Sequence, residues 1–215
     1  MDDKSLRQQI IDELEWDPRV DAERVGVAVH DGVATLTGTV PFYAQRVAAE
    51  AAVKRVKGVK AVAEEIEVHF DGVPPQSDED IAGRAASLLK WSAVVPDRAI
   101  DISVTKGWVT LGGNVEWDYQ RRKAEASVRD LAGVRGVVNN IAVRPRVQAG
   151  DVTSRIQQAF TRDAQLEAGQ IKVSVTGGRV KLEGHVKNWQ ERNAAERAAW
   201  AAPGVSAVED FVTVG

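Results

Sequence analysis

A short basic and aromatic run is the part of this sequence whose side chains come nearest to a recognisable chemistry. It contains Trp117, Tyr119, Arg121, Arg122 and Lys123. Clustered cations are attracted to anionic lipid headgroups by about 1 kcal/mol per Lys or Arg near the surface, and aromatic rings favour the membrane interface. The run therefore predicts a peripheral contact with an anionic phospholipid surface.

The charge distribution points to the same part of the chain. Residues 73–147 hold 11 basic and 9 acidic side chains, whereas residues 1–72 hold 9 and 14 and residues 148–215 hold 8 and 8. The whole chain has a net charge of −3, which gives no general case for nucleic-acid binding. We therefore expect a local electrostatic surface and no nucleic-acid partner.

A solvated helix face with packed aromatic residues is the alternative interpretation of this run, and it is the more common outcome for a run of charges. Tyr43 and Trp189 lie at nearly the same place in stretches that are not basic. Arg46, Arg121 and Arg192 share one position of the repeat described below. In this interpretation Arg121 pairs with a carboxylate on the first helix of its own repeat.

Trp108 is a further candidate for a binding surface. It stands on the outward side of a predicted strand, at the position that Val33 and Arg179 occupy in the other two copies. An exposed tryptophan is unusual enough to mark a contact surface or a domain interface. Trp200, in contrast, is expected to be buried against a neighbouring element.

Catalytic and metal-binding constellations do not appear in the sequence. His30, His69 and His185 share no repeat position and no metal-ligand spacing. The carboxylates belong to no acid–base motif, and the glycines match neither a phosphate-binding loop nor a dinucleotide-binding fingerprint. We therefore predict a non-enzymatic protein with no cofactor and no bound metal.

One polar position recurs on the last strand of each copy, as Glu64, Asn139 and Asp210. Buried polar groups need hydrogen-bond partners, so hydrogen bonding or capping within the fold is favoured over ion binding.

Three glycine columns indicate that the chain is a threefold tandem repeat. They share offsets of 75 and 71 positions and consist of Gly32, Gly107 and Gly178, of Gly38, Gly113 and Gly184, and of Gly58, Gly133 and Gly204. We place three domains at residues 1–70, 77–145 and 149–215. The linkers at 70–76 and 144–150 contain proline or glycine and are expected to be semi-stiff.

Each repeat is predicted to follow the order αββαβ, in the α+β class. In the first repeat a helical stripe is formed by Leu6, Ile10 and Leu14, and two alternating strands flank the turn at Gly32. An alanine-rich helix and a last strand complete the repeat. Two helices covering one face of a three-stranded sheet bury the apolar side of every strand. Gly38 and its equivalents are expected to let the first helix approach the sheet closely.

Targeting signals are also absent from the sequence. There is no cysteine for disulfides or acylation, the start of the chain has no basic and apolar segments, and no apolar run approaches about 20 residues. These features predict a soluble cytoplasmic protein without a transmembrane segment, or a periplasmic one if the N-terminus has been trimmed. A monomer is favoured.

The combination of amphipathic helix, Gly-containing turn, Val-x-Leu-x-Gly-x-Val strand, alanine-rich helix and Gly-Val-x-x-Val close resembles the BON domain family (bacterial osmotically inducible and nodulation domain). The resemblance covers nearly the whole chain in three copies. It implies the αββαβ fold, a link to osmotic and envelope stress, and in several members binding of anionic phospholipid. In others it implies association with porins or secretins, or potassium binding.

These considerations lead to one function hypothesis and one alternative. The first is a stress-associated binding protein whose domains contact an anionic phospholipid surface, with the middle domain as the contact. The alternative is a cytoplasmic scaffold that responds to K⁺ or Ca²⁺ or binds a protein partner.

Overall fold

The computed structural model describes residues 2–70, 77–96, 99–145, 152–163, 166 and 170–215. Most of the two predicted linkers, at 71–76 and 146–150, lies outside these residues, so their stiffness stays a prediction.

Three successive αββαβ repeats make up the described chain. The first consists of α1 (Asp3–Trp16), a short 3-10 turn (Ala22–Arg24), β1 (Val25–His30), β2 (Val33–Val40), α2 (Tyr43–Val53) and β3 (Ala61–Val68). The middle repeat consists of α3 (Asp78–Lys90), β4 (Ile100–Thr105), β5 (Trp108–Val115), α4 (Asp118–Arg129), β6 (Gly136–Asn139) and β7 (Ala142–Val143). The third consists of α5 (Val152–Arg162), β8 (Ile171–Thr176), β9 (Arg179–Val186), α6 (Trp189–Trp200) and β10 (Ala207–Val214).

Each repeat forms its own sheet, with the second strand in the centre. In the first and third repeats this strand pairs antiparallel with the strand before it and parallel with the last strand. In the middle repeat β5 lies between β4 and β6, and β7 also pairs with it in parallel. The predicted α+β class and the αββαβ order are confirmed.

The apolar stripe of the first helix supplies one layer of each core. Leu6, Ile10 and Leu14 are buried on α1, and the same positions are buried on α3 and α5. Alternate residues of the central strands meet them, because side chains point to opposite faces along a strand. Leu36, Leu111 and Leu182 are completely buried at matching positions of β2, β5 and β9.

The second glycine column has a different role from the one that the sequence suggested. Gly38 is solvent-exposed and adopts φ +122°, a conformation that side chains rarely tolerate. A Cβ there would overlap the carbonyl oxygen of Arg24, and its three nearest neighbours all belong to Arg24 and Val25, in the backbone that enters β1. Gly113 and Gly184 repeat this geometry against Ala99 and Gln170. The expectation of close helix packing is therefore wrong, because the close approach is between two backbone segments where the pairing of the first two strands begins.

The described residues fall into two compact units whose limits differ from those of the repeats. One unit combines the first repeat and α3 with residues 102–110 and 125–138. The other combines residues 92–96, 99–101, 111–124 and 139–145 with the third repeat.

We predict that Gly38→Ala lowers the free energy of unfolding by about 2 kcal/mol or more, because it adds a backbone overlap to an unfavourable φ. Chemical denaturation followed by circular dichroism measures this. Gly83→Ala is the matched control: a Cβ at this exposed site on α3 meets nothing within 4 Å, so about 0.5–1 kcal/mol of stabilisation is expected. Equal effects of the two substitutions would contradict the assignment.

Candidate functional site

The basic and aromatic run begins α4, and the helix separates its side chains onto different faces. Tyr119, Arg122 and Lys123 are exposed and follow the i, i+3, i+4 spacing that puts side chains on one helix face. Tyr119 has 54% of its surface exposed. Trp117 is half-buried before the first turn. We call Tyr119, Arg122 and Lys123 the outer face of α4.

The start of α4 is fixed by a buried glutamine. The Gln120 side-chain oxygen accepts hydrogen bonds from the backbone N–H groups of Glu116 and Trp117, at 3.1 and 3.0 Å. Its amide nitrogen donates to the carbonyl oxygen of Val94 at 3.3 Å. The partly exposed Val94 is therefore held beside the first turn of the helix.

Arg121 does not share the outer face, because it turns toward the third repeat. Its guanidinium lies 4.4 Å from the centre of the Trp200 ring on α6. It also forms an ion pair with Asp118, a buried carboxylate that Arg122 contacts from the other side at 2.8 Å between Nε and Oδ2. Trp200 is buried, as the sequence predicted, with 7% exposure. Arg121 thus packs on the third repeat.

The equivalent arginines of the other repeats have a different partner. Arg46 Nε lies 2.6 Å from a carboxylate oxygen of Glu64, and Arg192 Nε lies 2.8 Å from one of Asp210. Both acids are on the last strand of the same repeat. In these repeats α2 and α6 place the arginine over the last strand. The expectation that Arg121 pairs with a first-helix carboxylate is wrong as well, because its ion pair is with Asp118 on its own helix.

Asn139 explains why the middle repeat differs. It replaces the last-strand acid and donates a hydrogen bond to the backbone oxygen of Arg121 at 3.2 Å. With no carboxylate at this position, Arg121 pairs with Asp118, which stands where the outer repeats have Tyr43 and Trp189. Those two rings lie under Arg46 and Arg192 at 5.4 and 5.0 Å. The middle repeat therefore has an amide in place of the last-strand acid and a carboxylate in place of the aromatic ring.

The recurring polar position also bonds to its own strand. The side-chain oxygens of Glu64, Asn139 and Asp210 each accept from the backbone N–H two residues later, at 2.8, 3.2 and 2.9 Å. This matches the predicted hydrogen bonding within the fold.

Trp108 lies apart from the basic run, because the two are at opposite ends of the eight-residue strand β5. With 44% exposure it borders a cleft of about 800 Å³ at the hairpin end of the middle repeat. We call this the hairpin cleft; its lining includes Phe70, Lys106, Gly107, Trp108, Gly133 and Arg135. The structure therefore separates five of the six candidate residues into three places: the outer face of α4, the Trp200 contact and the hairpin cleft. Trp117, the sixth, is half-buried before the first turn of α4.

An aspartate in the first turn of the first helix was missed by the sequence reasoning. Asp78 accepts hydrogen bonds from the backbone N–H groups of Lys106 and Gly107, at 2.7 and 2.8 Å. Asp3 does the same for Asp31 and Gly32, at 2.8 and 3.1 Å. The offset of 75 positions between the two aspartates was the available signal.

Two negative observations bear on the class of site. Within residues 2–70, 77–96, 99–145, 152–163, 166 and 170–215, no group of three or more His, Asp or Glu side chains could hold a metal ion. None of the helices described for this chain is both long and apolar enough to cross a membrane.

We predict that Arg121→Gln lowers the free energy of unfolding by about 1–2 kcal/mol, because it removes a cation–π contact with a buried indole. The Trp200 emission, obtained by subtracting spectra of Trp200→Phe backgrounds, should shift to longer wavelength as water reaches the ring. Arg122→Gln is the matched control, since it contacts the same Asp118 carboxylate without touching Trp200. An unchanged Trp200 emission in Arg121→Gln would refute this role.

Comparison with known proteins gives a family and one named relative. The model of the BON domain matches residues 2–69, 77–145 and 148–215. Osmotically-inducible protein Y of Escherichia coli (strain K12) is 27% identical over 150 residues, covering 67% of this chain and 74% of that protein.

Two solved structures of CdsD, a structural protein of the type III secretion system of Chlamydia trachomatis, align at 16% identity. Their TM-scores are 0.27 and 0.26, with 98% and 100% of this chain and 92% and 100% of theirs covered. The family model, in contrast, matches at all three repeats and over most of the sequence. The resemblance first seen in the strand and turn motifs is confirmed, and this chain belongs to the BON domain family.

Proposed function

We propose that this chain is a non-enzymatic binding protein of the osmotic-stress response that contacts anionic phospholipid surfaces through the outer face of α4. The observation that carries the proposal is the exposure of Tyr119, Arg122 and Lys123 together on one helix face. An aromatic ring next to two cations suits the boundary between acyl chains and charged headgroups. The link to osmotic stress is supported by the family and by the name of the 27% identical relative.

The other repeats support a special role for this face because they lack its chemistry. The matching positions are Ala44, Val47 and Ala48 on α2 and Gln190, Asn193 and Ala194 on α6. Neither set contains a charge. The repeated fold alone therefore does not require a basic outer face on α4, and the difference is specific to the middle repeat.

The electrostatic attraction is expected to be modest. Residues 116–123 contain three cations, and Glu116 and Asp118 oppose them. Arg122 keeps 47% of its side chain exposed while it contacts Asp118, so its guanidinium is still accessible to a headgroup. An exposed contact of this size is weakened by salt, since charges near the surface are screened within a Debye length.

We predict that the protein sediments with phosphatidylglycerol vesicles at low ionic strength and much less with phosphatidylcholine vesicles. The double substitution Arg122→Gln and Lys123→Gln should weaken the binding roughly tenfold, because each cation near the surface contributes about 1 kcal/mol and Asp118 offsets part of it. Tyr119→Ser should weaken it further. Co-sedimentation over a range of lipid concentrations measures each effect.

The matched control is the double substitution Lys57→Gln and Lys60→Gln, which removes two exposed cations from the first repeat. It changes the net charge equally and should leave vesicle binding unaltered. Equal loss in both double variants would mean that net charge alone drives the binding. Equal, negligible sedimentation with both lipids would refute the proposal. The cytoplasmic location predicted from the sequence stays a prediction, and the assay is independent of it.

A further inference from the structure

We propose that the hairpin cleft of the middle repeat is a binding site for a flat aromatic monocarboxylate. Its volume of about 800 Å³ lies within the range of small-molecule pockets, which is about 300–1,000 Å³. The site is at the opposite end of β5 from the proposed lipid contact. It uses none of the residues of the outer face of α4.

A guanidinium held in position by two contacts is the first support for an anionic ligand. Arg135 lies 4.9 Å from the centre of the Phe70 ring and donates a hydrogen bond to the carbonyl oxygen of Val68 at 3.3 Å. Among the described residues, no carboxylate forms an ion pair with Arg135. The ring and the carbonyl hold the group in place, and neither of them neutralises its charge. A guanidinium held in this way suits a carboxylate, which it can bind with two parallel hydrogen bonds.

The local charge favours a monoanion. Arg135 and Lys106 contribute two positive charges to the cleft, and Asp78 contributes one negative charge. Both oxygens of Asp78 already accept hydrogen bonds from backbone N–H groups of the turn, at 2.7 and 2.8 Å. The carboxylate is therefore part of the hairpin's own hydrogen bonding. Among the described lining residues the sum is +1, which matches a single carboxylate better than a doubly charged phosphate ester.

The walls of the cleft favour a flat ring on the ligand. The indole of Trp108 lies over Gly136 so closely that a Cβ on this glycine would come within 2.6 Å of the ring atom Cε3. The indole is half exposed, and aromatic groups pair with such rings in offset or edge-to-face arrangements. The cleft lining has no side chain at Gly107, and a Cβ there would lie 2.7 Å from the Gly133 oxygen. The exposed indole and the guanidinium therefore offer two different contacts within one cleft.

The first repeat has the same cleft with the opposite chemistry. Its version has a volume of about 410 Å³ and is lined by Asp2, Asp3, Asp31 and Lys60 among other residues. Asp31 stands where Lys106 stands in the middle repeat, and Lys60 where Arg135 stands. Val33 occupies the position of Trp108. Because the carboxylates outnumber the single cation there, the cleft of the first repeat is not suited to an aromatic anion.

The test is isothermal titration of the full chain with 2-naphthoate. From the affinity per atom typical of small ligands we expect a Kd of about 1 mM or tighter. The uncharged 2-naphthamide and the ring-free acetate should each bind at least about tenfold more weakly, because each lacks one of the two contacts. Arg135→Gln should weaken naphthoate binding about tenfold, since hydrogen bonds to charged groups are among the stronger ones. Trp108→Val, which introduces the residue of the first repeat, should weaken it as well.

Two matched variants distinguish binding in this cleft from binding at another cationic surface of the chain. Lys60→Gln removes the equivalent cation of the first repeat and should bind naphthoate like the parent. The double variant Arg122→Gln and Lys123→Gln should also bind it like the parent, whatever its effect on vesicles. Circular dichroism of Arg135→Gln checks that the fold is kept.

Three results would overturn the proposal. One is the absence of binding at millimolar naphthoate, and another is equal binding of 2-naphthoate and 2-naphthamide. The third is a more than tenfold preference for 2-naphthyl phosphate, which would replace the monocarboxylate with a phosphate ester. Unchanged naphthoate binding by a folded Arg135→Gln would be a fourth, because the ligand would then contact another surface.

Discussion

Each repeat has a single apolar sheet face, and the need to bury that face under two helices determines what else the repeat can do. A domain of this size can build only a small core, so nearly every inward position must be apolar. The first helix supplies one buried apolar side chain per turn, and the central strand supplies a completely buried leucine in all three repeats. Variation is therefore left to the sheet ends, the outer helix faces and the outward strand positions. The outer face of α4 and the hairpin cleft are both in such places.

One arginine position shows how a repeated framework can acquire different roles. In the outer repeats the guanidinium is enclosed between a helix aromatic ring and a carboxylate on the last strand, so both partners are internal. In the middle repeat the acid has moved from the strand to the helix, as Asp118, and Asn139 takes the strand position. Arg121 then reaches Trp200 in the third repeat. The middle repeat differs at these two positions, and its arginine has a contact with another repeat in addition to the ion pair within its own.

Much of the fold could be predicted because repetition supplies an internal alignment. The helical stripes, the strand parities and the turn glycines each appear three times, so a chance pattern in one copy is corrected by the others. The same alignment was misleading for Gly38, whose inward parity suggested contact with a helix. Parity gives the side of a strand and not the distance to the neighbouring backbone, and the positive φ at this glycine is set by the path of the chain entering β1.

The candidate site was less predictable, because neighbours in sequence are not neighbours on a helix surface. By itself the sequence determined the threefold αββαβ architecture, the core residues and the basic character of the start of α4, since these depend on local periodicity and composition. Only the tertiary structure decided that Arg121 packs on Trp200 and not on the outer face of α4. It also decided that Trp108, Phe70 and Arg135 line one cleft. Those contacts join residues from different strands and repeats. Their distances depend on tertiary packing, and the periodicity of a sequence does not contain that information.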